Sequence, residues 1–333
     1  NYTQLGDPNI RWERNETVNI GVDYGFFNNR ITGSVELYRR RSKDMLLPRQ
    51  VSWAVGQGSV VQNVGVMDNK GVELGLTAEI FRPKTNDGFR WSTTFNFTFN
   101  YNEVISIYGG NPFLPGDQSF AVGRSINSVF TQVSGGVNAA TGRPMWIDTF
   151  GNLTYNPVLR DRRYIGDQEP DFFGGLTNTI SFKGFTLDAL FTYQYGAIST
   201  DGQVNFMLEN SARLALNSLI NTYEERWKTP GQVTGYGRPI NGGAEQAGAQ
   251  LAIGQSRLWR KTDWVRLRDI RISYDFSQGV LRKLKLNNLR LYVQGQNLWT
   301  RTIWLGYDPE FVGAATGIIP QTKNYNFGIQ VGF

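Results

Sequence analysis

The chain has 333 residues, of which 19% are charged, 14% aromatic and 38 are glycine, and 34 Lys and Arg outweigh 28 Asp and Glu for a net charge of +6. It contains no histidine and no cysteine, which excludes His-based triads, His-ligated metals, thiolate chemistry and disulfides within it, while leaving carboxylate-only chemistry or a Ca²⁺ site open. The basic residues are scattered, with a single run at Arg39, Arg40 and Arg41, so no nucleic-acid stripe is expected.

The sequence starts at Asn1 without a signal peptide and reads as a processed or truncated product. No apolar run approaches the ~20 residues of a membrane helix. A mean hydropathy of −0.36 does not exclude a membrane barrel, whose strands carry only alternation.

Alternation dominates from the first element onward. Residues 17–26 set Val18, Ile20, Val22, Tyr24 and Phe26 against Thr17, Asn19, Gly21, Asp23 and Gly25. After a turn at 27–30, a second strand sets Ile31, Gly33, Val35 and Leu37 against Thr32, Ser34, Glu36 and Tyr38. A third puts Val72, Leu74, Leu76, Ala78 and Ile80 opposite Glu73, Gly75, Thr77 and Glu79. The fourth aligns Phe89, Trp91, Thr93, Phe95, Phe97, Phe99 and Tyr101. Period two over such lengths predicts strands. Further strands are predicted at about 172–183, 185–196, 263–276, 287–298 and 322–333, nine in all. Lys183-Gly184 makes a tight hairpin turn. Within 263–276 the phase slips between Leu267 and Ile270, as a bulge would cause.

Connections alternate in length. Those at 27–30, 82–88, 184 and 277–286 are short; those at 38–69, 102–171, 197–262 and 299–321 are long. A meander does this when one end of the sheet carries function and the other only turns. Leu216, Leu219, Ile220, Tyr223 and Trp227 follow helical spacing inside one long connection.

Alternation alone fits a soluble sandwich as well as a membrane barrel. Three features favour the barrel. The strands exceed the usual ~5–6 residues and suit the ~9–11 of a tilted membrane strand. The apolar faces of the first four strands, of 185–193 and of the last strand carry no charge, and large aromatics gather at the ends of those faces with mostly aliphatic residues between, as two bilayer interfaces select. Nine strands also begin and end in the same direction, whereas single-chain bacterial barrels have even strand numbers, so the chain is expected to be part of a larger barrel.

At this point the motifs match a family. Pro8-Asn9-Ile10-Arg11-Trp12-Glu13, Gly25-Phe26-Phe27-Asn28-Asn29-Arg30, Asn63-Val64-Gly65 with Asn69-Lys70-Gly71-Val72-Glu73, and Tyr164-Ile165-Gly166-Asp167 with Pro170-Asp171-Phe172 occur in family order. So do Val265-Arg266-Leu267-Arg268, Gln296-Asn297-Leu298, Gly306-Tyr307-Asp308-Pro309-Glu310 and the terminal Phe327 to Phe333. The chain resembles the C-terminal part of the SusC/RagA-type TonB-dependent outer-membrane transporters of Bacteroidota. Gln168, Val66 and Lys323 stand where Pro, a charged residue and Arg are common in that family.

The resemblance implies an all-β fold: a transmembrane antiparallel β-barrel of about 22 strands, plugged, with long extracellular loops. Residues 1–333 would supply its last nine strands, and the plug domain and the N-terminal barrel half would be absent from this chain. It implies nutrient uptake, of glycans or peptides, in the outer membrane of a Gram-negative bacterium. The implied partners are a SusD-like surface lipoprotein as lid, the TonB-ExbB-ExbD complex acting through parts outside this chain, the barrel-assembly machinery, and outer-membrane lipid. No cofactor, nucleic-acid partner or enzymatic activity is implied. The alternative is a non-transporting scaffold or accessory subunit of an outer-membrane complex; a hydrolase using a carboxylate pair is a remote third reading.

Each candidate site residue admits a functional and a structural reading. Asp167, Glu169 and Asp171 alternate and could hold Ca²⁺ or merely fix the entry to the following strand; Asp308 and Glu310 admit the same two readings. Trp53, Trp146, Trp227, Trp259 and Trp304 could stack on sugar rings or meet a lid, or anchor their own loops. Arg39, Arg40 and Arg41 are candidates for lipopolysaccharide phosphates, or a solvated rim. The inward-facing charges should meet a plug or water. The resemblance makes Tyr325, Phe327, Ile329, Val331 and Phe333 the signal read by the barrel-assembly machinery.

Overall fold

The computed structural model describes residues 7–52, 54, 58–85, 88–110, 120–200, 217, 220–239, 256–312 and 319–333. In chain order the strands are β1 (Arg14–Phe26), β2 (Ile31–Gln50), β3 (Ser59–Phe81), β4 (Arg90–Ser106), β5 (Ser128–Val137), β6 (Pro144–Ile147), β7 (Leu153–Thr154), β8 (Arg162–Asp167), β9 (Phe172–Phe182), β10 (Phe185–Tyr195), β11 (Ile198–Ser199), β12 (Arg260–Lys261), β13 (Trp264–Asp275), β14 (Asn288–Thr302) and β15 (Asn324–Gly332). The nine long ones form a single antiparallel sheet in the order β1-β2-β3-β4-β9-β10-β13-β14-β15. Each strand predicted from alternation is present, and each pairs with its neighbour in sequence. β1 and β15 remain as edges.

Register turns alternation into two faces. Ile20 stands opposite Leu37, Leu37 opposite Val72, Val72 opposite Phe99, and Phe99 opposite Phe172. One row further along, Val22, Val35, Leu74, Phe97 and Gly174 align in the same way. These rows make a continuous outward band that no described residue covers: Val18, Ile20 and Val22 are each more than half accessible. In a membrane this band is the lipid-facing surface.

The turns at one end are tight for identifiable reasons. Lys183 and Gly184 both have positive φ, 48° and 85°, as a two-residue type I′ hairpin requires. Phe27, Asn28 and Asn29 reverse the chain between β1 and β2 in three successive left-handed conformations, a conformation that Asn tolerates and Phe does not favour. The connection at 276–287 holds a short helix, α2 after α1 (Ile220–Glu225), spanning Gln278–Leu284 and anchored by buried Leu281. The phase slip in β13 is a bulge: pairing with β14 shifts between Leu267 and Asp269, and the matching residue Asn297 has φ 53°.

One expectation about the connections is corrected, and another is borne out over the residues described. Residues 38–69 are not a loop, because β2 runs on to Gln50 and β3 already starts at Ser59, paired down to Gln50 opposite Ser59. From Tyr38 to Asp44 both faces of β2 are polar, so the backbone ladder continues after the alternating hydrophobic signal has ended. The helix expected over 216–227 is one and a half turns, α1, with Trp227 beyond its end; Leu216 and Leu219 lie outside the described residues. The other long connections carry structure of their own. β5–β8 form a four-stranded sheet, order β7-β6-β5-β8, around Val129, Thr131 and Trp146, and β11 pairs with β12. Among the described residues no helix is long and apolar enough to cross a membrane, and crossing by strands is untouched by that.

Candidate functional site

The face opposite the apolar band is the inner wall. Its rows are polar because the intervening residues of the same strands are: Gly21, Glu36, Glu73 and Thr98 align, then Asn19, Tyr38, Gly71 and Asn100, then Thr17, Arg40, Asn69 and Asn102. These three rows enclose a recess of about 500 Å³ on the long-connection side of the sheet. Glu36 and Glu73 are direct cross-strand partners, an arrangement that like charges disfavour. The Asn19 amide donates to Glu36 at 3.0 Å, and among the described residues neither carboxylate is joined by an ion pair. Tyr38 lies flat across Gly71, where any Cβ would collide with its ring, and its hydroxyl donates to the Asn100 side chain at 2.9 Å. The floor of the recess is therefore fixed.

A second recess of about 540 Å³ lies along β9, β10, β13 and β14, between Thr177, Asp188, Arg268, Asp269, Gln296 and Asn297. Its charges are mostly engaged. Thr179 donates to Asp188 at 2.7 Å, and Gln294 and Gln296 donate to Asp269; further along the same wall, outside the recess, Arg290 grips Asp275 through two bonds of 2.6 and 2.8 Å. Arg271 lies over the Tyr292 ring, 4.4 Å from its centroid.

Above this recess the connection after β14 is latched to the wall. The Arg266 guanidinium meets Asp308 at 2.7 Å with side chains 3% and 4% exposed, and donates to the Thr300 hydroxyl at 2.9 Å. Glu310 is gripped by Arg268 and lies 3.4 Å from Arg266. Gln321 donates to Glu310 at 2.8 Å and accepts from Arg268 at 2.7 Å, closing the network. Asp308 and Glu310 are thus spent on arginines rather than free for Ca²⁺.

The other candidates are placed as follows. Asp167, Glu169 and Asp171 are not brought together. Asp167 accepts from the Ser128 hydroxyl at 2.6 Å, Glu169 from the Asn127 amide at 2.8 Å, and Asp171 packs against Gly196. Alternation along an extended segment points neighbouring carboxylates to different partners, and among the described residues no group of three or more acidic side chains could hold a metal.

Trp146 and Trp304, 1% and 5% exposed, are buried in their own loops and offer no stacking face. Trp227 closes over Gly142 and donates to the Ala139 carbonyl at 2.7 Å, anchoring the 138–142 turn. Trp259 is half-buried beside β12, and Trp53 lies outside the described residues.

The arginine run is divided by the strand itself. Arg39 and Arg41 face outward and converge on Asp68, which is wholly buried beneath them at 2.7 Å from each, with Lys70 at 3.7 Å from Asp68 and 3.3 Å from Glu103. Arg40 turns to the inner wall, away from lipid, so the run cannot act as one phosphate-binding unit. Tyr325, Phe327, Ile329, Val331 and Phe333 lie outward along the β15 edge, exposed. The roles of Arg266 and Asp68 carried no local signal. Both are defined by partners more than 25 residues away.

The arrangement is that of a wall: an outward surface for lipid, an inward surface for polar contacts, and latched loops at one end. The comparisons agree with it. The family model for the TonB dependent receptor-like β-barrel matches residues 1–298. TonB-dependent receptor P3 of Formosa agariphila is 27% identical over 374 residues, covering 99% of this chain and 35% of the relative. TonB-dependent receptor SusC of Bacteroides thetaiotaomicron is 26% identical over 352 residues, covering 98% and 32%. Among solved structures, one of the RagAB peptide transporter superposes with a TM-score of 0.84 at 26% identity, covering 99% of this chain and 36% of that one. The chain spans about a third of the length of the curated relatives it matches.

Proposed function

Because the chain belongs to the TonB-dependent receptor-like β-barrel family, whose SusC/RagA-type members are outer-membrane proteins of Gram-negative bacteria, we propose that it forms the C-terminal wall of a nutrient importer. The cargo class is oligopeptide or oligosaccharide. Import would proceed beneath a SusD-like surface lipoprotein, with the TonB-ExbB-ExbD complex supplying energy through parts outside residues 1–333.

The observation that carries this reading is the two-faced nine-stranded meander, with an uncharged apolar band outside and a polar face inside, which superposes over 99% of its length on a chain of the RagAB peptide transporter. In hydrocarbon, the unpaired N–H and C=O groups along the β1 and β15 edges would each cost several kcal/mol. Both edges therefore call for partner strands, and a plug domain and the first part of the barrel would complete the structure. On this reading the exposed outward residues of β15, from Tyr325 to Phe333, meet the barrel-assembly machinery. Half-buried Trp259 stays a candidate contact for the lid, and Arg39 and Arg41 stay candidates for lipid phosphate.

Deleting the full-length gene and feeding the cells labelled oligopeptides and oligosaccharides tests the proposal. Loss of uptake of one class, restored by the intact gene and abolished when TonB is removed, is the expected result. Unchanged uptake of both classes overturns import and leaves a scaffold.

A further inference from the structure

The recess on the inner wall of β1–β4 has two poles. One is the Glu36–Glu73 pair, two carboxylates directly opposite each other, with the Asn19 amide donating to Glu36 alone and no cation joined to either among the described residues. The other is Arg40, exposed on the same face and aligned with Asn69. Four residues of one strand separate Glu36 from Arg40, which at about 3.3 Å per residue places the poles roughly 13 Å apart. Between them Tyr38 is pinned flat on Gly71 by its bond to Asn100, so the ring does not block the path from one pole to the other.

A wall facing only water would have no need to hold two carboxylates in cross-strand apposition, since the pairing is destabilising until a cation arrives. From this geometry we infer that the recess binds a short peptide with free termini, its amino group on Glu36 and Glu73 and its carboxylate on Arg40. An extended chain covers about 3.3–3.6 Å per residue, so four or five residues bridge the poles. The side-chain amides of Asn19, Asn69 and Asn100 line the path and suit peptide groups, which both donate and accept. The polarity also fixes direction. Glu36 lies nearer the short-turn end and Arg40 nearer the long-connection end, so the peptide enters amino end first.

This deepens the import proposal, on which it rests for the recess being on a cargo path, by choosing peptide over glycan. A neutral oligosaccharide could hydrogen-bond either pole through its hydroxyls but carries no charges to match the two.

The test uses the full-length protein purified in detergent and a fluorescent pentapeptide of small residues, dye-labelled on a central side chain. Three forms are compared: free termini, N-acetylated and C-amidated. At low salt, N-acetylation of the peptide and the double substitution Glu36→Gln with Glu73→Gln are each expected to weaken binding about tenfold, as two exposed charge contacts of roughly threefold each. C-amidation and Arg40→Gln each weaken it about threefold. Acetylation is expected to cost nothing further in the double variant, which a merely structural role for the glutamates would not produce.

Because acetylation is tested on the unaltered protein, a variant that folds poorly does not remove the test. Binding of the free and acetylated peptides with equal affinity overturns the inference. So does binding of a neutral oligosaccharide that is lost in Glu36→Gln with Glu73→Gln. Whole-cell uptake is read separately: peptide uptake that survives the double substitution leaves import standing and removes the recess from it, and absence of all uptake overturns import itself.

Discussion

Arg266 on β13 and Asp308 in the connection after β14 meet at 2.7 Å, 42 residues apart in sequence and both almost fully buried. A pair withdrawn from water holds its elements together only while both partners remain, and removing one leaves a buried charge that costs about 3–5 kcal/mol. Asp308→Ala is therefore expected to release the 303–321 connection, read as new proteolytic cleavage there at a protease dose the unaltered protein survives. Replacing both partners by apolar residues, Arg266→Met with Asp308→Leu, should recover most of the resistance. Equal cleavage of the single and double variants would show that charge pairing is not what holds the connection.

The two faces of the sheet differ in what they accept. Leu74 sits in the outward band between Val35 and Phe97, and Thr77, three residues on, points inward between Thr32 and Thr94. Leu74→Arg is expected to cost about 2–4 kcal/mol by placing a guanidinium in lipid, whereas Thr77→Arg should stay within about 0.5 kcal/mol. The folded fraction in outer membranes, read from the heat-dependent mobility of the barrel in gel electrophoresis, compares them. Equal losses would mean that the outward band does not face lipid.

What could be read from the sequence was whatever repeats every second residue. The nine strands, the tight turn at Lys183-Gly184 and the bulge in β13 all leave a local trace, because one face must be apolar and a slip of one residue reverses it. The second half of β2 leaves none, since from Tyr38 to Lys43 both faces are polar and only the backbone ladder marks the strand. The inner-wall recess was legible as residue types and not as a site. Glu36 and Glu73 can each be assigned to the inner face, but their apposition depends on the register of β2 on β3. The two readings of Trp146, stacking face or loop anchor, stayed open in the sequence for a related reason: its burial depends on a four-stranded sheet of short, irregular strands that have no clean period.

Packing on the outward face uses glycine as a socket. Gly174 in β9 lies under the Tyr193 ring of β10 and beside the Asn96 carbonyl of β4, and the Tyr193 hydroxyl donates to that same carbonyl at 3.1 Å. A Cβ at Gly174 would fall inside both neighbours. Gly174→Ala is expected to destabilise the barrel by about 1–3 kcal/mol through this overpacking, seen as a lower unfolding temperature in detergent. Adding Tyr193→Ala should restore part of the loss and not all, because the ring can be removed and the Asn96 backbone cannot. Full restoration would place the whole strain on the ring.

The loop sheet contains a carboxylate whose charge does structural work. Asp161 accepts from the Val158 backbone N–H at 2.7 Å, and from the Thr149 backbone N–H and hydroxyl at 2.9 and 2.7 Å, drawing both ends of the 148–161 segment together. These donors, the Val158 amide foremost, hold its pKa below the ordinary 3.8. A carboxylate whose pKa is depressed on folding stabilises the fold at every pH above its unfolded value, and that contribution fades as pH falls through the folded value. Hydrogen-exchange protection of Val158 and Thr149 should accordingly be constant from neutral pH to about pH 5, and decline once the medium is acid enough to protonate Asp161. Asp161→Asn retains an acceptor oxygen and loses the charge, so its protection should be lower at neutral pH and flat through the acid range. A variant that matched the unaltered segment at neutral pH would show that the charge contributes nothing to holding Thr149 and Val158 together.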